Sequence, residues 1–222
     1  MADVEFKSPE GKLIAGYLAD TDLLIGNVVV IQEWWGLNDQ IRAVCDRYAQ
    51  AGFRAFAPDL FDGEVVPFSK ADDAAKKMQS LDYGKALEKV RAGGEQLRGM
   101  GGKVGITGFC MGGALTLLSA MKLPDTFDAA VPFYGIPPEE AGDPGKIQIP
   151  ILAHYAQHDE WCTPARVDAL EAKLKASGAQ YEIHRYAAHH AFFNESRKEV
   201  FDADASKLAW DRTLAFFKKT LA

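Results

Sequence analysis

Gly108-Phe109-Cys110-Met111-Gly112-Gly113 stands between an apolar stretch, Lys103–Thr107, and a helical one, Gly113–Met121. Gly-x-nucleophile-x-Gly in a strand–turn–helix context is a nucleophile elbow. The turn is tight enough to strain the backbone of its central residue, so the flanking positions must be small. The central side chain then stands at the carboxyl edge of a sheet. The backbone N–H of Met111, at a helix start, can face developing negative charge. Here the central residue is a cysteine, whose thiolate is a strong nucleophile.

A nucleophile of this kind needs a base, and the base needs an orienting acid; elbow motifs place them downstream as acid, then base. Both are present. The stretch Ile149–Tyr155 runs into Ala156-Gln157-His158-Asp159, and Tyr181–Tyr186 runs into Ala187-Ala188-His189-His190. Asp159 is the candidate acid, with Glu160 beside it as an alternative. Spacing alone does not choose between His189 and His190. Trp34, Trp35, Phe61, Tyr134, Trp161 and Phe192 fall in segments that follow strands and are candidates to line an apolar pocket. Cys45 sits inside an amphipathic helix and reads as core. His154 and His158 have a metal-like i, i+4 spacing, but on a strand and its loop rather than a helix. Neither a Rossmann glycine pattern nor a P-loop lysine is present, so the glycines are not a phosphate cradle; no metal and no cofactor are expected.

The elements that must position these residues follow from periodicity. Near-continuous apolar runs at Asn27–Gln32, Phe53–Ala57, Val104–Thr107, Asp128–Tyr134, Ile149–Tyr155 and Tyr181–Tyr186 read as parallel strands buried on both faces. Val4–Lys7 and Lys12–Ala19 alternate and are joined by Ser8-Pro9-Glu10-Gly11, the pattern of an antiparallel hairpin. Helical spacing covers Asn38–Ala51, Tyr83–Leu97, Gly112–Met121, Arg166–Ser177 and Ser206–Leu221, with a shorter helix at Lys70–Ser80 over the edge of the sheet. Strands alternating with helices predict a three-layer α/β fold: a mostly parallel twisted sheet, an antiparallel N-terminal hairpin and helices on both faces. No linker divides residues 1–222, which are expected to form a single domain without a large cap.

The 222 residues carry a net charge of −6, are 48% hydrophobic and 25% charged, and include three cysteines. This is ordinary globular usage, not that of a disordered or disulfide-stapled chain. An acidic chain without a dense Lys/Arg block is a poor partner for nucleic acid or an anionic membrane. The N-terminus lacks the basic and apolar regions of a signal peptide, so a cytoplasmic location with reduced thiols is expected.

The sequence resembles the dienelactone hydrolases, a cysteine-using branch of the α/β-hydrolases. The resemblance spans essentially the whole chain. It rests on Gln32-Glu33-Trp34-Trp35-Gly36, Ala57-Pro58-Asp59-Leu60-Phe61, the elbow itself, Phe133-Tyr134-Gly135, Asp159 and Ala188-His189-His190-Ala191-Phe192. It implies an α/β-hydrolase fold and hydrolysis of a small-molecule carboxylic ester or lactone by a monomer. It further implies Cys110 as nucleophile, His190 as base, by its register to Phe192, and Asp159 as orienting acid. Glu33 would interact with the resting cysteine and help to activate it, and the backbone N–H groups of Trp34 and Met111 would form the oxyanion hole. Family members that take small anionic lactones hold the substrate carboxylate with arginines. Four residues after His190 this chain has Asn194, and the segment 70–78 offers Lys70, Lys76 and Lys77 but no arginine; Arg197 is a substitute from a different position. The competing functions are a thiol redox protein pairing Cys110 with Cys162, and a hydrolase fold kept as a non-catalytic binding module.

Overall fold

The computed structural model describes residues 2–8 and 11–222. Strands β1 (Ala2–Lys7) and β2 (Leu13–Ala19) pair antiparallel, as the alternating pattern predicts; Pro9 and Glu10 of the predicted turn lie outside the described residues. They are followed by β3 (Gly26–Ile31), α1 (Asp39–Gln50), β4 (Phe53–Pro58), α2 (Ala71–Gln79), α3 (Tyr83–Gly99), β5 (Val104–Phe109) and α4 (Met111–Lys122). Then come β6 (Ala129–Phe133), β7 (Ile151–His158), α5 (Pro164–Ser177), β8 (Tyr181–His189) and α6 (Ala203–Leu221). All eight strands form one sheet in the order β1-β2-β4-β3-β5-β6-β7-β8. β2 pairs antiparallel with β4, and every pairing from β4 across to β8 is parallel.

The pleat sorts the core into two layers. Along β3, Val28 and Val30 face one side with Ile41, Val44, Phe217 and Leu221 of α1 and α6. Val29 and Ile31 face the other with Val90, Leu115, Leu118, Val167 and Leu174 of α3, α4 and α5. Burial on both faces explains why β3 reads as an unbroken apolar run, since no face is left for polar residues. The helices stop and start where local chemistry dictates. Asn38, Asp82, Thr163 and Asp202 cap α1, α3, α5 and α6 with side-chain oxygens, and Gly178 ends α5 at φ +74°.

Two differences from the sequence reading bear on the site. β7 and β8 each run three residues beyond their predicted ends, to His158 and His189, which puts Asp159 and His190 immediately past the last paired residues. The short helix α2 forms, but not over an edge. Its one buried residue, Ala74, clusters with Trp35 and Val66, beyond the carboxyl end of the central strand β3. Burial of the Trp35 indole pulls the helix inward.

The chain leaves β3 toward β4 in one direction along the sheet and leaves β5 toward β6 in the other. The gap between β3 and β5 is therefore the topological switch point, where open parallel sheets bind ligands. Glu33, Trp34 and Trp35 follow β3 and Cys110 follows β5, so they flank this gap.

Candidate active site

Cys110 sits between β5 and α4 with φ +55° and ψ −114°. A non-glycine residue there costs about 1–3 kcal/mol, so its surroundings must impose it. They do so by close contact. The Cys110 N–H donates to Phe133 O at 3.1 Å and its carbonyl accepts from Ala114 N at 3.1 Å. A Cβ at Gly112 would lie 2.4 Å from Ile31 O, so only glycine lets the elbow lie against the end of β3. Four described non-glycine residues have positive φ, and three of them gather here: Cys110, Tyr134 at +36° and Ala191, next to His190, at +64°.

Asp159 is buried, with its two oxygens divided between two tasks. Oδ1 accepts the backbone N–H groups of Trp161 and Cys162, each at 2.8 Å, which fixes the carboxylate. Oδ2 meets His190 Nδ1 at 2.7 Å. Burial pushes the Asp159 carboxyl up. The His190 contact and the two N–H donors outweigh it and hold the carboxyl below its usual range. Of the two adjacent histidines, His190 faces the acid. His189 lies against His158, with ring centroids 5.4 Å apart.

Glu33 is 2% exposed. Its Oε1 accepts from the Tyr134 hydroxyl at 3.2 Å and its Oε2 from the Asn194 side-chain amide at 2.6 Å. Burial raises its carboxyl above the ordinary value, against the pull of those donors and of His190. Burial also pushes the Cys110 thiol well above the usual thiol value of 9.0, and the nearby Glu33 charge adds to this. The Met111 N–H acts in the opposite sense. The thiol is therefore protonated at neutral pH.

A cleft of about 390 Å³ collects Glu33, Trp34, Trp35, Cys110, Trp161 and His190 along its walls. The remaining sequence candidates lie elsewhere. Asp159 stands behind His190. Tyr134 and Phe192 are fully buried, Tyr134 beneath Glu33 and edge-on to His190, and Phe192 against Tyr134. Phe61 belongs to a neighbouring hollow shared with Lys77 and Leu81. Met78, Glu199 and Val200 line the cleft without having been singled out from the sequence, and Arg197 joins them. Arg197 Nε donates to Glu199 Oε1 at 2.8 Å, and its guanidinium lies 5.8 Å from the Trp35 ring centroid. Asn194 occupies the position four beyond His190 and grips Glu33, a pairing that no local pattern announces. Among the described residues, no group of three or more His, Cys, Asp or Glu could hold a metal ion, and no helix is long and apolar enough to cross a membrane.

A mostly parallel eight-stranded sheet with helices on both faces and a strained elbow after β5 defines an α/β-hydrolase fold. The family model described as "Dienelactone hydrolase family" matches residues 14–221. "Protein usf" of Aquifex pyrophilus is 38% identical over 230 residues, covering 98% of both chains. A protein of Aquifex aeolicus named "Putative carboxymethylenebutenolidase" is 34% identical with the same coverage. The crystal structure of a "Putative Dienelactone Hydrolase" from Klebsiella pneumoniae superposes with a TM-score of 0.82 at 28% identity, covering 97% of this chain and 98% of that one. The chain belongs to the dienelactone hydrolase family.

Proposed function

We propose that the protein hydrolyses uncharged carboxylic esters or lactones through an acyl-enzyme on Cys110. The observation that carries this reading is the elbow cysteine sharing one cleft with an imidazole whose Nδ1 is held by a buried carboxylate at 2.7 Å. With Nδ1 engaged, Nε2 is the nitrogen of His190 left to exchange protons. Asp159 fixes the tautomer and steadies the imidazolium. The thiol is protonated at rest, so His190 takes its proton as the sulfur attacks the substrate carbonyl. Burial of Cys110 sets that resting state, and the Glu33 charge adds to it by disfavouring a thiolate. The backbone N–H groups of Met111 and Trp34 would receive the oxyanion; losing one such donor typically costs about 10²–10³ in rate. The alcohol leaves with the proton from His190, and a water activated by the same nitrogen hydrolyses the thioester.

The lining charges favour a neutral substrate. Glu33, Glu160 and Glu199 line the cleft, and Arg197, its only Lys or Arg among the described residues, already pairs with Glu199. A panel of p-nitrophenyl esters of increasing chain length, run beside an unsaturated lactone bearing a carboxylate, tests both parts. Neutral esters should turn over and the anionic lactone poorly, and Cys110→Ala should abolish cleavage while the protein stays folded. Retention of most of the activity by Cys110→Ala removes this mechanism.

A further inference from the structure

Trp161 is 54% exposed, although an indole is among the largest apolar groups a fold can bury. Its loop is nonetheless rigidly held. Its N–H donates to Asp159 Oδ1 at 2.8 Å, and its carbonyl accepts from Arg166 Nη1 at 2.5 Å, while Arg166 Nη2 donates to Ile136 O at 3.0 Å. The fold thus holds in place the backbone of a residue whose exposed indole surface adds little to the core.

The indole belongs to a series of edge-on rings. Trp161 meets Trp34 at 5.7 Å and 76°, Trp34 meets Trp35 at 5.3 Å and 71°, and Trp35 meets Phe68 at 5.1 Å and 77°. Trp35 is buried, whereas Trp34 is only partly so, and with Trp161 it lines the cleft. Trp161 also lies 6.5 Å from the His190 ring centroid.

That neighbour gives the subsite its chemical sense. In the reaction proposed above, on which this inference rests, His190 protonates the departing oxygen as the carbonyl carbon–oxygen bond breaks and the thioester to Cys110 remains. The alcohol portion must therefore sit against His190, which is where Trp161 is, with Trp34 packed edge-on against it. Aromatic rings bind one another best edge-to-face or offset, the arrangement these indoles already adopt. Glu160, adjoining Trp161 and lining the cleft, disfavours an anionic alcohol. We infer that Trp161 and Trp34 form a leaving-group subsite that selects uncharged esters whose alcohol portion carries an aromatic ring.

The test compares benzyl acetate with cyclohexylmethyl acetate, two primary-alcohol esters of similar size that differ in the aromaticity of the ring. The wild-type protein should favour the benzyl ester in kcat/KM by roughly 2–10-fold. Trp161→Ala should erase that ratio and Trp161→Phe should keep most of it. The ratio of p-nitrophenyl acetate to p-nitrophenyl benzoate, which varies the acyl side, should be the same in wild type and Trp161→Ala. The fold is not at stake, because the hydrogen bonds that hold the loop come from the Trp161 backbone. Equal wild-type rates on the two acetates, a benzyl preference that survives Trp161→Ala, or an altered acyl ratio overturns the subsite while Cys110-dependent ester cleavage stands. Failure to cleave any of these esters overturns the hydrolytic reading beneath it.

Discussion

Asn194 donates its side-chain amide to Glu33 Oε2 at 2.6 Å, joining residues 161 positions apart in the chain. Both are buried, Asn194 completely and Glu33 to within 2%. A neutral amide thus stands against a buried carboxylate, four residues beyond His190. Its hydrogen bond offsets the burial of the charge only in part, which accords with the upward shift of Glu33.

Asn194→Leu should leave Glu33 Oε2 buried without this donor, a loss of about 1–3 kcal/mol. Glu33 has a raised folded-state pKa, so it stabilises the fold at low pH and loses that contribution as pH rises through the folded value. The Asn194 hydrogen bond lowers that value, so its removal raises it further. Urea unfolding of the variant should show a larger loss at about pH 8.5 than at about pH 4.5, because the missing bond favours the charged form. An equal loss at both values would mean that the bond does not act on the charged form.

Cys110 should react slowly with iodoacetamide near neutral pH. The rate should climb with pH and show no plateau below about pH 9, because only the thiolate is alkylated. Cys45 and Cys162 are buried and their thiols are also pushed up, Cys162 to about 12, so peptide mapping by mass spectrometry should place the label on Cys110. Glu33→Gln removes a neighbouring negative charge and should speed labelling at a fixed pH. A plateau near neutrality in the wild type would reveal a preformed thiolate and remove the resting state described above.

Gly112→Ala should destabilise the protein and abolish any Cys110-dependent activity, since its new Cβ would fall 2.4 Å from Ile31 O and 2.5 Å from Gln32 O, both backbone atoms. Gly99→Ala is the contrasting change. It lies at the end of α3 with nothing within 4 Å of a built Cβ, and it should gain up to about 1 kcal/mol from helix propensity. Thermal melts of the two variants beside the wild type check the pair. A folded, active Gly112→Ala would show that the elbow does not depend on that close approach.

The elements of this fold were largely legible in the sequence because their signals are local. The apolar run of β3, the helix start at Asn38 and the helix stop after Ser177 each depend on a few neighbouring residues. The elbow was legible for the same reason: strand, Gly-x-Cys-x-Gly and helix are contiguous. Asp159 and His190 could be found because a parallel sheet puts the ends of successive strands on one side. Choosing His190 over His189 required register with Phe192, and the structure shows the physical difference: one imidazole meets Asp159 and the other meets His158. Asn194, Met78 and Val200 were not legible as site residues. Each reaches the site through tertiary placement, and an asparagine or a valine carries no chemistry of its own to advertise it. Phe61 shows the converse: an aromatic residue after a strand can turn into the adjoining hollow instead of the cleft.

The cleft opens over the seam between β3 and β5, where the chain departs to the left after one strand and to the right after the other. Connections that diverge in this way leave the space above the seam free of any segment the helical layers need. Loops there can lengthen, shorten or trade aromatic for charged residues while the sulfur, the imidazole and their pedestal stay in register. Substrate preference in such a scaffold can drift by surface change alone, without re-engineering the interior.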